Sequence, residues 1–312
     1  MALYAFDGTW NQPDYIFDDS RDTNTNVFRF AQYYAACHGE DASPLKFQYL
    51  EGVGTKFGRT GKVIGGLTGA GGRERILEML HLCASQMASG DRVVDIVGFS
   101  RGAALALHFA NRLCDGVPVG GELLRVDEIR FLGLWDTVPA FGIPGAFIDW
   151  AQDVNIGWEL DLPSRVRRCS HALARHERRQ AFNVHRLDPR HRHENVFEVW
   201  FRGVHSDVGG GNSNHPLNAI ALQWMMQEAR KTGVPFLEEQ LDNAGKGSDV
   251  NAPIGVNSDR IERIDRPFYE CDLLHPSAAK SLAVGESKTV PVDSRLIYDF
   301  SGLMLEAGAS YT

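Results

Sequence analysis

Along the chain, short unbroken runs of apolar residues alternate with longer stretches in which apolar side chains return every third or fourth position. The runs are ALYAF at 2–6, the stretch FQYLEGVGT, VVDIVG at 93–98, EIRFLGLWDTV and NVFEVWFRGVH. They predict strands. Helical spacing predicts helices over 24–37 (capped by Asn24 or Thr25), 73–88, 101–114 and 217–232. Val27, Phe30, Ala31 and Tyr34 mark the inner face of the first. Ile76, Leu77, Leu80, Cys83, Ala84 and Met87 mark that of the second, and Gly90-Asp91 ends it. Strands this uniformly apolar are buried on both sides, so the expected class is α/β, a mostly parallel sheet covered by helices on both faces. A single domain over residues 1–312 is expected, with a cap or lid inserted at about 140–195. Residues 295–300 predict a last strand or helix.

The run at 93–98 leads into GFSRG, a G-x-S-x-G sequence between a strand and a helix. In that context Ser100 reads as a nucleophile on a sharp turn, held above the carboxyl end of the sheet. Glycine two positions either side removes the Cβ atoms that would clash there. A nucleophilic serine needs a base, and the base an orienting acid. Asp136 closes the next strand, and His205 follows a later one. The order Ser100, Asp136, His205 is that of α/β-hydrolases. Asp207 is an alternative acid, or a cap on the glycine turn after it. The Arg101 N–H, at the helix start, is one oxyanion donor. Gly8 or Thr9, in FDGTWN, is the candidate for the second, against a plain turn.

His108 lies about two turns along the nucleophile helix, out of reach of Ser100. His171, His176, His185, His191 and His193 read as a surface set among nine arginines between 165 and 193. Those arginines are either a solvated face or a cationic rim for a phosphate head group or an anionic bilayer. AFGIPGAFIDWAQ is either core or a lid face that meets lipid. GGLTGAGGRE lacks the GK[ST] of a phosphate-binding loop and reads as a turn. Asp95, inside an apolar strand, needs a partner that the sequence does not name.

Composition narrows the classes. A charge of −8 over 312 residues offers no global positive field, so no nucleic-acid partner is expected. Five widely spaced cysteines (37, 83, 114, 169 and 271) form no CxxC pair, which argues against a disulfide framework or zinc site. DYIFDDSRDTNTN lacks the EF-hand pattern, and neither metal nor cofactor is expected. No signal peptide or membrane-spanning run is read, so synthesis in the cytoplasm is expected.

FDGTWN, YLEGVGT, GGLTGAGG, GDRVVDIVGFSRGAA, GLWDTV and FRGVHSDVGGG, in that order from residue 3 to about 230, resemble an α/β-hydrolase family. It includes phospholipase effectors of bacterial type VI secretion systems. The resemblance implies an α/β-hydrolase-like fold, the triad Ser100, Asp136 and His205, and a lipid substrate of the glycerophospholipid class. It also implies contact with a membrane surface, a secretion or immunity partner, and delivery by a specialised secretion system. The family's D-E-R-x-x-x-F helix corresponds here to HERRQAF, with His176 in place of the acid. A serine ester hydrolase working through an acyl-enzyme is therefore expected. A carboxylesterase for a soluble ester, or a binding module with a vestigial site, are the alternatives.

Overall fold

The computed structural model describes residues 2–8, 24–37, 47–50, 70–139, 158–255, 265–269, 271–278, 297–298 and 304–305. Strand β1 (Ala2–Phe6) leads through helix α1 (Asn26–Ala36) to β2 (Phe47–Leu50), and helix α2 (Ala70–Ala88) precedes β3 (Val93–Phe99). Helix α3 (Arg101–Asp115) follows β3 directly. A hairpin of β4 (Val117–Val119) and β5 (Glu122–Leu124) comes next, then β6 (Glu128–Trp135), β7 (Cys169–Ala174) and β8 (Val196–Phe201). The short helix α4 (His205–Gly209) precedes α5 (His215–Arg230) and α6 (Glu238–Gly245). Strands β9 (Leu273–Leu274), β10 (Ile297–Tyr298) and β11 (Met304–Leu305) end the series.

The main sheet runs in the order β11-β10-β9-β8-β7-β6-β3-β1-β2. All its pairings are parallel except β10 with β11. The chain moves outward from β1 to β2, then crosses back to β3 and continues the other way. Carboxyl ends of strands at such a reversal flank a crevice where open α/β sheets place ligands. Here they carry Asp7-Gly8 and Ser100.

Side chains alternate between two cores, as the pleat requires. Leu3, Val97 and Phe131 pack with Phe30, Tyr34, Trp224 and Met225 beneath α1 and α5. Tyr4, Phe6, Ile96 and Leu132 pack with Met79, Leu105, Phe109 and Leu113 beneath α2 and α3. Thr25 caps α1, its hydroxyl accepting the Phe28 N–H at 3.2 Å. Leu77, expected on the inner face of α2, is exposed; Ile76 and Met79 take the core side, and a residue one step along a helix from Ile76 points about 100° away.

Two further expectations change. The segment 140–195 is not all inserted outside the sheet, because β7 within it is a central strand. Residues 140–157 of the expected cap lie outside the described residues. Nor is the cluster of histidines and arginines a simple surface set. His171 is fully buried, with Nδ1 3.0 Å from Glu198 and Nε2 3.0 Å from the Thr137 hydroxyl. Arg168 grips buried Glu228, and Arg186 bridges buried Glu198 and Asp272. Burial favours the neutral acid of Glu198, yet the His171 bond and the Arg186 charge outweigh it and bring the carboxyl down to about 2.

Asp95 finds its partners across the sheet. The Tyr34 hydroxyl donates to it at 2.8 Å, and Arg130 donates through Nε at 3.0 Å and again through Nη2. Asp95 and Arg130 are both buried. Arg130→Leu should leave a buried carboxylate without its cation and cost about 3–5 kcal/mol, read by urea unfolding. Replacing both residues by apolar ones should cost much less; a double variant as unstable as the single one would contradict this account.

Candidate active site

Ser100 follows β3, Asp136 follows β6 and His205 begins α4 just beyond β8, so all three stand at the carboxyl ends of their strands. His205 Nε2 lies 2.8 Å from Ser100 Oγ. His205 Nδ1 lies 2.6 Å from Asp136 Oδ2. An ionised Asp136 can only accept, so the geometry assigns the ring proton to Nδ1 and leaves Nε2 to accept from the serine hydroxyl.

The turn at Ser100 is tight. Its φ of 58° with ψ of −127° is a conformation that non-glycine residues rarely hold. Hydrogen bonds overdetermine it: the Ser100 N–H donates to Trp135 O at 2.9 Å, and its carbonyl accepts from Ala103 N–H at 3.1 Å and Val138 N–H at 3.2 Å. Gly102 is required because a Cβ there would stand 2.3 Å from the Phe6 carbonyl. Its absence brings α3 against the end of β1. In HSDVGGG, a Cβ on Gly209 would fall 2.0 Å from the Phe99 ring, the same ring that packs 4.6 Å from the His205 imidazole.

Asp136 is fully buried and turns with φ 44°. Its Oδ1 accepts the Ala174 N–H at 2.9 Å and Arg266 Nη1 at 2.6 Å; its Oδ2 accepts Arg266 Nη2 at 3.0 Å as well as His205. Burial pushes this carboxyl up, but the Arg266 charge and the His205 bond outweigh burial and hold it well below the usual carboxylate range.

His205 is held from three sides. Phe99 lies on one, and Phe182 meets the ring edge-on at 4.9 Å. Its backbone N–H donates to Glu177 Oε2 at 3.2 Å. Glu177 is buried and also accepts the N–H of Arg178 at 3.0 Å, the N–H of Arg179 at 2.9 Å and the Arg179 guanidinium at 3.0 Å. Arg179 lies 3.5 Å over the Phe182 ring. The HERRQAF stretch therefore supports the base. His176 within it accepts the Gly203 N–H at 3.0 Å, tying the stretch to the approach to His205.

The other sequence candidates fall as follows. Asp207 is not paired with the His205 ring. Its carboxylate accepts from Val204 N–H (3.0 Å), Gly255 N–H (2.8 Å), Asn212 (3.0 Å) and Asn214 (2.8 Å), so it fixes the loop rather than orienting the base. The Gly8 N–H donates to Asp7 Oδ1 at 2.6 Å. That engages the expected second oxyanion donor, and Thr9 lies outside the described residues. The Arg101 N–H opens α3 beside Ser100, as expected, and burial pushes the Arg101 guanidinium down to about 10. Arg266 and Glu177 were missed. Arg266 is one of three arginines in NSDRIERIDRPF, with no local pattern to single it out, and Glu177 stands among arginines where it reads as the counter-ion of a solvated face. Among the described residues no group of three or more His, Cys, Asp or Glu side chains is placed to hold a metal ion. None of their helices is long and apolar enough to cross a membrane.

No curated protein matches the chain. A crystal structure of an uncharacterized protein from Pseudomonas aeruginosa shares the fold, with a TM-score of 0.51 and 22% identity over 80% of this chain and 49% of that one. The structure of the Tle1 effector bound to the VgrG spike from the Type 6 secretion system aligns with a TM-score of 0.42 and 24% identity, over 67% of this chain and 50% of that one. The chain thus spans about half the length of these two structures. The model of the T6SS phospholipase effector Tle1-like catalytic domain matches residues 3–116 and 122–228. That match takes in Ser100, Asp136 and His205 and well over half of the sequence, and the chain belongs to the family of Tle1-like phospholipase effectors of type VI secretion systems.

Proposed function

We propose that the domain is a serine ester hydrolase that cleaves an acyl ester of a glycerophospholipid. The observation that carries the chemistry is the unbroken relay Ser100 Oγ, His205 Nε2, His205 Nδ1, Asp136 Oδ2, with links of 2.8 and 2.6 Å. Ser100 Oγ attacks the ester carbonyl while His205 Nε2 takes the hydroxyl proton. Asp136 holds the required tautomer and steadies the imidazolium. The Arg101 N–H, aided by the N-terminal end of α3, faces the developing oxyanion. His205 then protonates the departing alkoxide. A water molecule, deprotonated by the same nitrogen, releases the fatty acid from the acyl-enzyme.

Membership of the phospholipase effector family supports the lipid substrate. It also supports delivery by a type VI secretion system, with a spike component and an immunity protein as the partner classes. The test is incubation with phosphatidylethanolamine–phosphatidylglycerol vesicles and, separately, with a short-chain p-nitrophenyl ester, followed by mass spectrometry of the products. Release of fatty acid and lysophospholipid is expected. Turnover of the soluble ester alone would overturn the lipid assignment, and turnover of neither, with no fluorophosphonate labelling of Ser100, would overturn the hydrolase.

A further inference from the structure

The match to the catalytic-domain family ends at residue 228, yet the carboxylate that orients the base is gripped from residue 266. Arg266 presents both terminal nitrogens to Asp136, Nη1 to Oδ1 at 2.6 Å and Nη2 to Oδ2 at 3.0 Å. The same two nitrogens donate to the carbonyls of Ala174 at 2.8 Å and Phe182 at 2.6 Å. One guanidinium thus joins the acid, the end of β7 and the turn whose Phe182 ring abuts His205. Arg266 is itself buried, so these contacts are shielded from water.

The neighbouring residue is tied to the same part of the chain by a second route. Thr137 bonds to His171, His171 to Glu198, Glu198 to Arg186, and Arg186 to Asp272 at 2.7 Å. Asp272 in turn accepts the Tyr269 N–H at 2.9 Å. Two consecutive residues of the acid loop, Asp136 and Thr137, are therefore connected to the 265–272 segment by separate polar chains.

We infer that Arg266 is a positioning residue for the Asp136–His205 pair, and that the 265–272 segment completes an active site whose reacting groups all lie in the family-matched region. This rests on the serine hydrolase reading. A two-pronged guanidinium fixes the plane of a carboxylate, which a point cation cannot do. Without it, a single donor remains on each oxygen, the Ala174 N–H on Oδ1 and the imidazole on Oδ2, and the plane of the group is held less firmly. Displacing a catalytic group by about 1 Å can cost about a hundredfold in rate. Arg266 touches the acid and not Ser100, so its loss should act on turnover rather than on substrate binding.

The test measures kcat and KM on a soluble ester for the full-length wild type, Arg266→Gln and Arg266→Lys, each checked for cooperative thermal unfolding. Arg266→Gln should lower kcat about a hundredfold with KM within about twofold, and Arg266→Lys should recover part of the loss. The same Arg266→Gln change is also made in an Asp136→Asn background and followed by the rate of fluorophosphonate labelling. There it should cost little more, because residues acting as one unit are not additive. A folded Arg266→Gln with wild-type kcat overturns the assignment. So does an equal loss in both backgrounds; where Arg266→Gln does not fold, Arg266→Lys is compared in the same two backgrounds, and wild-type kcat or an equal loss there overturns the assignment. An inactive, unlabelled wild type would instead overturn the hydrolase reading, and this assignment with it.

Discussion

Ser100→Ala should lower kcat for ester hydrolysis by about a millionfold, the loss seen when a triad loses its nucleophile. Oγ is the only atom removed, and its partner is His205 Nε2. KM should therefore hardly change, since the binding surface is intact. A residual rate of about 10³–10⁴ over the reaction in water is expected, from the oxyanion donors and bound geometry that remain. Stability separates this loss from unfolding. Alanine keeps the Cβ that strains the chain at φ 58°, so the thermal midpoint should stay near that of the wild type. Ser100→Gly removes that Cβ and should stabilise the fold by about 1 kcal/mol while being equally inactive. Stopped assays on purified variants with matched unfolding curves read both effects. More than a hundredth of wild-type activity in folded Ser100→Ala would rule out Ser100 as the nucleophile.

The strands that read clearly in the sequence are those dominated by large apolar residues, with at most one or two charged ones between them. Strands β1, β3, β6 and β8 are of this kind, and each of the last three delivers one member of the relay to the carboxyl edge. Strand β7 was hidden because its sequence, CSHALA, carries Ser170 and His171 in the middle. A buried histidine looks like a surface one until its partners are known, and these come from Thr137 and Glu198, on other strands or loops. The same holds for Asp95, whose need for a partner was legible but whose cation, Arg130, sits across the sheet on β6. Order along the chain picked out Ser100, Asp136 and His205 because a parallel sheet converts sequential strand ends into spatial neighbours. Arg266 and Glu177 obey no such rule. They reach the site as side chains from loops, and nothing in their local sequence marks them.

Asp136→Asn should lower kcat by about 10⁴-fold, and the reason lies in counting donors. Four N–H groups converge on the carboxylate: the Ala174 backbone, two nitrogens of Arg266, and His205 Nδ1. An ionised carboxylate has acceptor sites for all of them. An asparagine offers one acceptor oxygen and an NH₂ group that is itself a donor. Turned towards Ala174, that NH₂ meets two donors, the Ala174 N–H and Arg266 Nη1. Turned towards His205, it forces Nδ1 to accept, moves the ring proton to Nε2, and leaves no base for Ser100. The buried guanidinium also loses its counter-ion, so the variant should be about 3–5 kcal/mol less stable at neutral pH. That penalty should depend on pH in one direction. The Asp136 carboxyl is held below its usual range in the folded protein. Its stabilisation is therefore complete above the unfolded value of about 4 and is lost as pH falls towards the folded value. The stability gap between wild type and Asp136→Asn should be widest near pH 7 and narrow as the pH is taken below about 4. Urea unfolding at pH 7 and at about pH 3 measures both gaps. A gap of equal size at the two pH values would mean that the charge of Asp136, and with it the Arg266 pair, is not what the site depends on.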